Sequence, residues 1–343
     1  MRVNKSGYTY AKAGVDIDEI SKLHKTIESV LSKTFQTRKG KTGRVLDVRQ
    51  HYAGLIEINR DYALALHTDG VGTKVLVAEA CHKYDTVGID CVAMNVNDII
   101  CVGAEPLALA NYLALEKMRP ELVREIMIGL QKGAREAGVA IVSGETAMMS
   151  DVIRGFDLAA TVVGLVKKNR IITGSRIRQG DLIFGIRSSG IHSNGLTLAR
   201  KLLLTQKVNN RIARELLKPT RIYVKQVMRL LRSRAEIHGL AHVTGGGYSK
   251  LKRLGVQAKV GFVLDHMPNP QRVFGEIQTK GRLSDREMYR TFNMGIGFLI
   301  VCPKRSARRL KKVIPEVEQV GYVDSSRGVV VSIAGEEIEV ENW

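Results

Sequence analysis

His67-Thr68-Asp69-Gly70-Val71-Gly72-Thr73-Lys74 follows Tyr62-Ala-Leu-Ala-Leu66, an apolar run of strand length. A strand that ends in a carboxylate and then a glycine-x-glycine turn sets an acid beside exposed backbone N–H groups. Lys74 opens a helical pattern (Val75, Leu76, Ala78, Glu79), where a cation and a helix N-terminus can share one anion. Taken alone, the octapeptide fits two readings: an ordinary Asp-Gly turn, and a site for phosphate with a divalent metal. The rest of the chain weighs between them.

From Thr86 to Val102 the chain is apolar with inset polar residues Asp90, Asn95, Asn97 and Asp98. Asn95 and Asp98 are three apart and share one helix face. Burying either unpaired would cost several kcal/mol, so the polar face is expected to meet water, a metal or a ligand. Farther on, Val139-Ala-Ile-Val142 reads as a short buried strand that ends in Ser143-Gly144-Glu145-Thr146-Ala147, again strand, glycine, carboxylate. Asp69, Asp98 and Glu145 brought together beside Lys74 would hold Mg²⁺ on nucleotide phosphates. Without a cation, three converging carboxylates would repel.

Around these acids the elements alternate. Asp18 to Phe35 reads as a helix capped by Asp16 or Asp18, with Ile20, Leu23, Ile27, Val30, Leu31 and Phe35 along one face. Thr37 to Arg44 lacks the glycine that a Walker A loop needs before Gly40-Lys41-Thr42. Gly54–Ile58 and Tyr62–Leu66 read as paired strands, Leu107–Leu115 and Phe156–Val166 as further strands, and Pro120–Ala137 as an amphipathic helix. Lys167-Lys168-Asn169-Arg170 is the natural boundary, giving domains 1–166 and 167–343.

In the second half, strand Asp181–Ile186 runs into Arg187-Ser-Ser-Gly-Ile-His-Ser-Asn-Gly195 and a helix from Leu196. That order suits an anion cradle built from Ser188, Ser189, Gly190, Ser193 and Asn194. His238 to Tyr248 supplies a second loop, with Gly245, Gly246 and Gly247. Strands are expected near 260–264, 294–301 and 329–333, and helices at 219–232, 270–279 and 305–319. The fold class is therefore α/β, in layers. His192 and His242 sit in glycine-serine surroundings and are candidates for phosphate contact or for acid–base work near neutral pH.

With 343 residues, two domains are the natural expectation. No apolar run reaches the roughly 20 residues of a membrane span, and Met1 to Ser6 lacks a signal peptide's apolar segment, so a cytoplasmic protein is expected. Cys81, Cys91, Cys101 and Cys302 show no zinc-like spacing and read as reduced thiols. Net charge is +19, yet aromatic residues are only 5% and do not interleave with the basic ones. The excess charge therefore suits anionic metabolites, with no specific nucleic-acid partner expected.

Taken in order, Tyr10-Ala-Lys-Ala-Gly-Val-Asp16, His67–Lys74, Gly88–Asp98, Gly103-Ala-Glu-Pro106, Gly144-Glu-Thr-Ala147, Ser188–Gly195, Pro219–Lys225, Ala241–Gly247 and Tyr289–Gly297 closely resemble the phosphoribosylformylglycinamidine cyclo-ligases, also called aminoimidazole ribonucleotide synthetases. The resemblance implies two α/β domains, the N-terminal mixed sheets pairing in a homodimer barrel and a C-terminal α/β sandwich completing the site. It implies ATP and Mg²⁺, and closure of the imidazole ring of formylglycinamidine ribonucleotide with release of ADP and phosphate. Carried over, Asp69, Asp98 and Glu145 would hold the metal, with Gly70, Gly72, Thr73, Lys74 and Asn95 at the nucleotide. The Ser188–Gly195 and Gly245–Gly247 loops would face substrate or phosphate, with His192 and His242 as catalytic candidates. Two departures stand out: the stretch Gly43–Gly54 is not the glycine-rich loop usual in bacterial members, and Met148 replaces a second carboxylate. Other ATP enzymes of the superfamily usually carry aspartate where His242 stands and lack the His-Ser-Asn-Gly run.

Overall fold

In a computed structural model, residues 14, 17–48, 51–204, 210–333 and 335–342 are described. The Tyr10–Asp16 motif, apart from Gly14, and the helix-capping role of Asp16 lie outside them, as do Arg49 and Gln50 of the altered loop.

The first half carries strands β1 (Arg44–Leu46), β2 (Gly54–Glu57), β3 (Tyr62–Gly70), β4 (Glu105–Leu115), β5 (Ala140–Met148) and β6 (Phe156–Lys167), in the order β1-β2-β3-β6-β4-β5. Among the described strands of this half, β4 and β5 alone pair in parallel. Its helices are α1 (Ile17–Leu31), α2 (Lys74–Cys81), α3 (Val87–Cys101) and α4 (Pro120–Ala137). The second half carries helices α5 (Leu196–Leu203), α6 (Asn210–Leu217), α7 (Val224–Arg232), α8 (Lys252–Ala258), α9 (Arg272–Gly281), α10 (Asp285–Thr291) and α11 (Ala307–Val313). Its strands are β7 (Leu182–Arg187), β8 (Gly239–His242), β9 (Gly261–Leu264), β10 (Ile296–Cys302), β11 (Glu318–Asp324), β12 (Gly328–Ile333) and β13 (Glu336–Asn342), ordered β13-β12-β9-β11-β7-β10-β8. The fold is α/β, with a mixed sheet in each half. Among the described residues no helix is long and apolar enough to cross a membrane.

Strand periodicity decides what the first sheet buries. Ala63, Ala65, Ala160 and Val162 point inward and are buried, whereas Leu66, Thr68 and Thr161 point outward and are exposed. Every residue of α3 except Ile89 is buried, because α3 has the sheet on one side, α4 on another and the second half beyond. Helices α3 and α4 approach backbone to backbone: a Cβ added to Gly129 would lie 2.4 Å from the Asp85 carbonyl oxygen, and one added to Gly88 would lie 2.3 Å from Leu130 N. Nothing there is a flexible side-chain end that could swing away. Gly129→Ala should therefore destabilise the chain by about 3 kcal/mol or more, read as a lower urea midpoint. An unchanged midpoint would mean that the two helices can separate freely.

Several expectations need correction. Val139–Val142 is not a short buried strand; β5 is a nine-residue edge strand, exposed along almost all its length. Apolar periodicity cannot distinguish a covered strand from one left bare within its own chain. The helix expected over Asp18–Phe35 forms, but Leu23, Val30 and Leu31 on its apolar face are exposed, and it passes into a 3₁₀ turn at Ser32. The helix expected over 305–319 stops at Val313, before Pro315, and the chain turns into β11. The helix expected from Pro219 begins only at Val224.

Candidate active site

β3 sets His67 and Asp69 two residues apart on its inner face, and α3 lays Asp98 against them. Asn95, one turn before Asp98, pins the Asp69 backbone: its Oδ1 accepts from Asp69 N at 3.1 Å and its Nδ2 donates to Asp69 O at 3.0 Å. The Gly70 N–H donates to Asp69 Oδ1 at 2.8 Å. On its far side Asp98 is held by His242, with Nδ1 2.7 Å from Oδ1, while His67 Nε2 lies 3.5 Å from Oδ2. Burial would push the Asp98 carboxyl up, but the hydrogen bond from His242 and the charges of His242, His67 and Arg253 hold it below the usual carboxylate range. Asp69 is pushed the other way, first by burial and then by the Asp98 charge. Two carboxylates forced into this opposition are poised for a cation.

The expected third acid is not beside them. Asp69 pairs with Ala160, Ala160 with Asn111 and Asn111 with Gly144, so Glu145 lies three strands away, on the order of 14 Å at about 4.8 Å per strand. It pairs with Tyr112 rather than Asn111, which puts it on the opposite face of the sheet. Among the described residues no three His, Cys, Asp or Glu side chains form a metal cluster. The donor set that remains, two hard carboxylates, fits Mg²⁺ completed by phosphate oxygens and water.

Lys74 does not reach this space. It is fully buried, and its Nζ donates to Asp90 Oδ1 at 2.8 Å and to the Lys218 carbonyl at 2.6 Å. Asp90 Oδ1 also accepts from Thr220 N at 2.7 Å, Thr220 Oγ1 at 2.6 Å and Ser193 Oγ at 3.0 Å. Nor does the polar face of α3 meet solvent. Asp90 and Asn97 are spent on the second half, where Asn97 donates to Arg221 O at 2.9 Å and accepts from Tyr223 N at 3.0 Å, while Asp98 commits Oδ1 to His242.

The serine-rich cradle is likewise engaged with protein. Ser188 Oγ donates to Asn293 Oδ1 at 3.0 Å, Ser189 Oγ to Pro219 O at 2.5 Å, and Gly190 O accepts from Asn293 Nδ2 at 2.9 Å. His192 adopts φ +61° and is sealed, with Nε2 accepting from Ser189 N at 3.2 Å. Burial, then His242 and Lys74, holds it neutral. His192 is thus a structural acceptor and not an acid or base at the site. His242, also fully buried, holds Asp98 through Nδ1. Two nitrogens of this loop stay buried and unpartnered, His192 Nδ1 and the amide Nδ2 of Asn194, the latter side chain lying next to Gly245. Gly72 and Gly246 sit at positive φ, as tight turns require, and Thr73 Oγ1 meets Thr197 Oγ1 at 3.1 Å between the two halves.

Three residues at the site were not singled out from the sequence, His67, Lys250 and Arg253, and a fourth, His51 in the altered Gly43–Gly54 stretch, carries little weight there. Period-two spacing from Asp69 would have found His67. The others arrive by contacts across well over a hundred residues, such as Arg253 donating to His51 O at 3.4 Å. His51 has both ring nitrogens buried and unpartnered, and burial, then Arg253, brings its pKa down to about 4. With the unfolded value near 6.5, stability is whole above pH 6.5 and is lost as pH falls toward 4, because the unfolded chain takes up the proton first. His51→Leu should therefore shrink the loss of unfolding free energy between pH 7 and pH 4.5 by about 2 kcal/mol in urea titrations. An equal acid loss in both proteins would mean that His51 is charged when folded.

Family models described as AIR synthase related protein, N-terminal domain, and AIR synthase related protein, C-terminal domain, match residues 50–166 and 178–334. A relative from Pyrococcus furiosus named phosphoribosylformylglycinamidine cyclo-ligase is 48% identical over 336 residues, covering 95% of this chain and 98% of that protein. The chain belongs to the phosphoribosylformylglycinamidine cyclo-ligase family. A cyclo-ligase of the same name from Methanocaldococcus jannaschii is 48% identical, covering 89% of this chain and 88% of that one. Cyclo-ligase architecture extends to more distant proteins. A solved hydrogenase maturation protein HypE in complex with ATP gives a TM-score of 0.64 at 21% identity, covering 82% of this chain and 85% of that one. A structure titled AaThiL complexed with AMPPCP and TMP gives 0.66 at 17%, covering 96% and 99%. At such identities the likeness concerns the fold alone.

Proposed function

We propose that the Asp69–Asp98 pair is the phosphoryl-transfer centre of an ATP-dependent ligase that closes formylglycinamidine ribonucleotide to aminoimidazole ribonucleotide, releasing ADP and phosphate. The near full-length match to cyclo-ligases carries this reading. The geometry supports it, because phosphoryl transfer asks a protein mainly to position groups and neutralise charge. Asp69 and Asp98 would hold Mg²⁺, which supplies charge neutralisation on the phosphate oxygens. Asn95 fixes the Asp69 backbone and His242 orients Asp98. Transfer to the formyl oxygen would make that oxygen a leaving group, and the amidine nitrogen would then displace phosphate as the ring closes.

The functional halves are taken as 1–166, for nucleotide, metal and dimerisation, and 167–343, which completes the site. A homodimer is part of this reading. The outer face of the first sheet is bare and apolar, with Leu66, Leu107, Tyr112 and Val142 exposed, and a second copy of that face would bury them. Glu145 would then face the partner. A solution mass near twice 37.9 kDa is the expected measurement, and a mass of 37.9 kDa would remove the dimer. We place the enzyme in the cytoplasm, where its substrates are expected.

The deciding experiment incubates the protein with formylglycinamidine ribonucleotide, ATP and Mg²⁺ and quantifies three products. Aminoimidazole ribonucleotide, ADP and phosphate should appear in equal amounts. Folded protein that yields no aminoimidazole ribonucleotide sinks the reading.

A further inference from the structure

With Lys74 sealed against Asp90, some other cation has to meet the phosphates at the acid pair. The glycine turn of the second half supplies one. Lys250 folds back over that turn: a Cβ added to Gly246 would lie 3.4 Å from its Cε and 3.9 Å from its Nζ. Its ammonium has no hydrogen-bond or ion-pair partner among the described residues, although it stands within electrostatic reach of Asp69, Asp98 and Arg253. Burial, then Arg253, draws its pKa down to about 8, against the upward pull of the two carboxylates. Among the described residues Arg253 likewise makes no ion pair with a carboxylate: it lies 4.8 Å over the Tyr52 ring and donates to the His51 carbonyl at 3.4 Å. Both side chains are half-buried and neither is hydrogen-bonded to a carboxylate among the described residues, so an arriving anion would meet two uncommitted cations.

The two lysines of the site region therefore differ in kind. Lys74 has its counter-charge built in, and Lys250 lacks one. An anion with several oxygens, bridged to Asp69 and Asp98 by the metal, would supply it. We propose that Lys250, backed by Arg253, is the cation that grips the terminal phosphoryl group of the bound nucleoside triphosphate. The proposal rests on the nucleotide site assigned above and names the side chain that reads its phosphates.

Titration calorimetry in the presence of Mg²⁺ tests it with three ligands: a nonhydrolysable ATP analogue, AMP and formylglycinamidine ribonucleotide. Lys250→Met should weaken the triphosphate analogue at least tenfold, leave AMP within twofold and leave the ribonucleotide within twofold, with Lys250→Arg recovering most of the loss. Weakened ribonucleotide binding with intact analogue binding would overturn the proposal and move Lys250 to the substrate phosphate. Equal loss for all three ligands would overturn it in favour of a structural role. If wild-type protein binds no nucleotide, the site assignment fails and this inference with it; if only the Lys250→Met variant behaves like wild type, this inference fails alone. A second measurement needs no variant. Limited acetylation of wild-type protein at pH 8, read by peptide mass spectrometry, should modify Lys250 and be suppressed at least fivefold by the Mg²⁺-bound analogue. Acetylation of Lys250 that the analogue does not suppress would also overturn the proposal.

Discussion

Asp69→Asn should lower kcat/KM for ring closure by about a hundredfold to a thousandfold while leaving the fold intact, the size of loss typical when one charge-stabilising group is removed from a site. The fold should tolerate the change because the Asn95 clamp acts on the Asp69 backbone and not on its carboxyl. An asparagine Oδ1 can still accept from the Gly70 N–H. The apo protein should even become more stable near neutral pH. Burial and the Asp98 charge raise the Asp69 carboxyl, so its ionisation costs stability as pH rises through the folded pKa, and that cost vanishes in acid. The variant should thus melt at or above the wild-type temperature at pH 7, and the gain should disappear toward pH 4. Addition of Mg²⁺ with an ATP analogue should raise the melting temperature of the wild type far more than that of the variant. Turnover within threefold of wild type, with the same nucleotide affinity, would remove Asp69 from the site.

Lys74→Met should do the reverse, costing stability and sparing nucleotide binding. Asp90 would be left buried with a charge whose strongest partner is gone, although Thr220 and Ser193 still donate to it. Breaking a fully buried ion pair from one side typically costs about 3–5 kcal/mol, and here the pair also ties α2 and α3 to the Lys218–Thr220 segment of the second half. Urea unfolding should register the loss. Calorimetry on the folded variant should give an ATP-analogue affinity within about threefold of wild type. Full stability together with tenfold weaker nucleotide binding would return Lys74 to the phosphates and weaken the case for Lys250.

These two variants mark the line between what one chain of letters can tell and what it cannot. The sequence by itself determined the elements whose cause is local. β3 arises from an apolar run ahead of Asp69, α4 from a proline-started amphipathic repeat ended by Gly138 at positive φ, and α3 from an apolar helix with inset polar residues. It also put Asn95 and Asp98 on one helix face and Asp69 at a strand end, but the pattern does not contain their meeting. Matching of ordered motifs then carried the family. Only the tertiary structure decided which charges are spent. Lys74, Ser188, Ser189 and Ser193 look chemically eager on paper, but each finds a partner across a contact that the local pattern does not contain. Strand register, set by pairing through β6 and β4, sends Glu145 to the other face of the sheet from Asp69. The physical reason is the same in each case. A side chain's charge and size are properties of its own residue, whereas its solvation and counter-charge belong to whatever the folded chain brings alongside it.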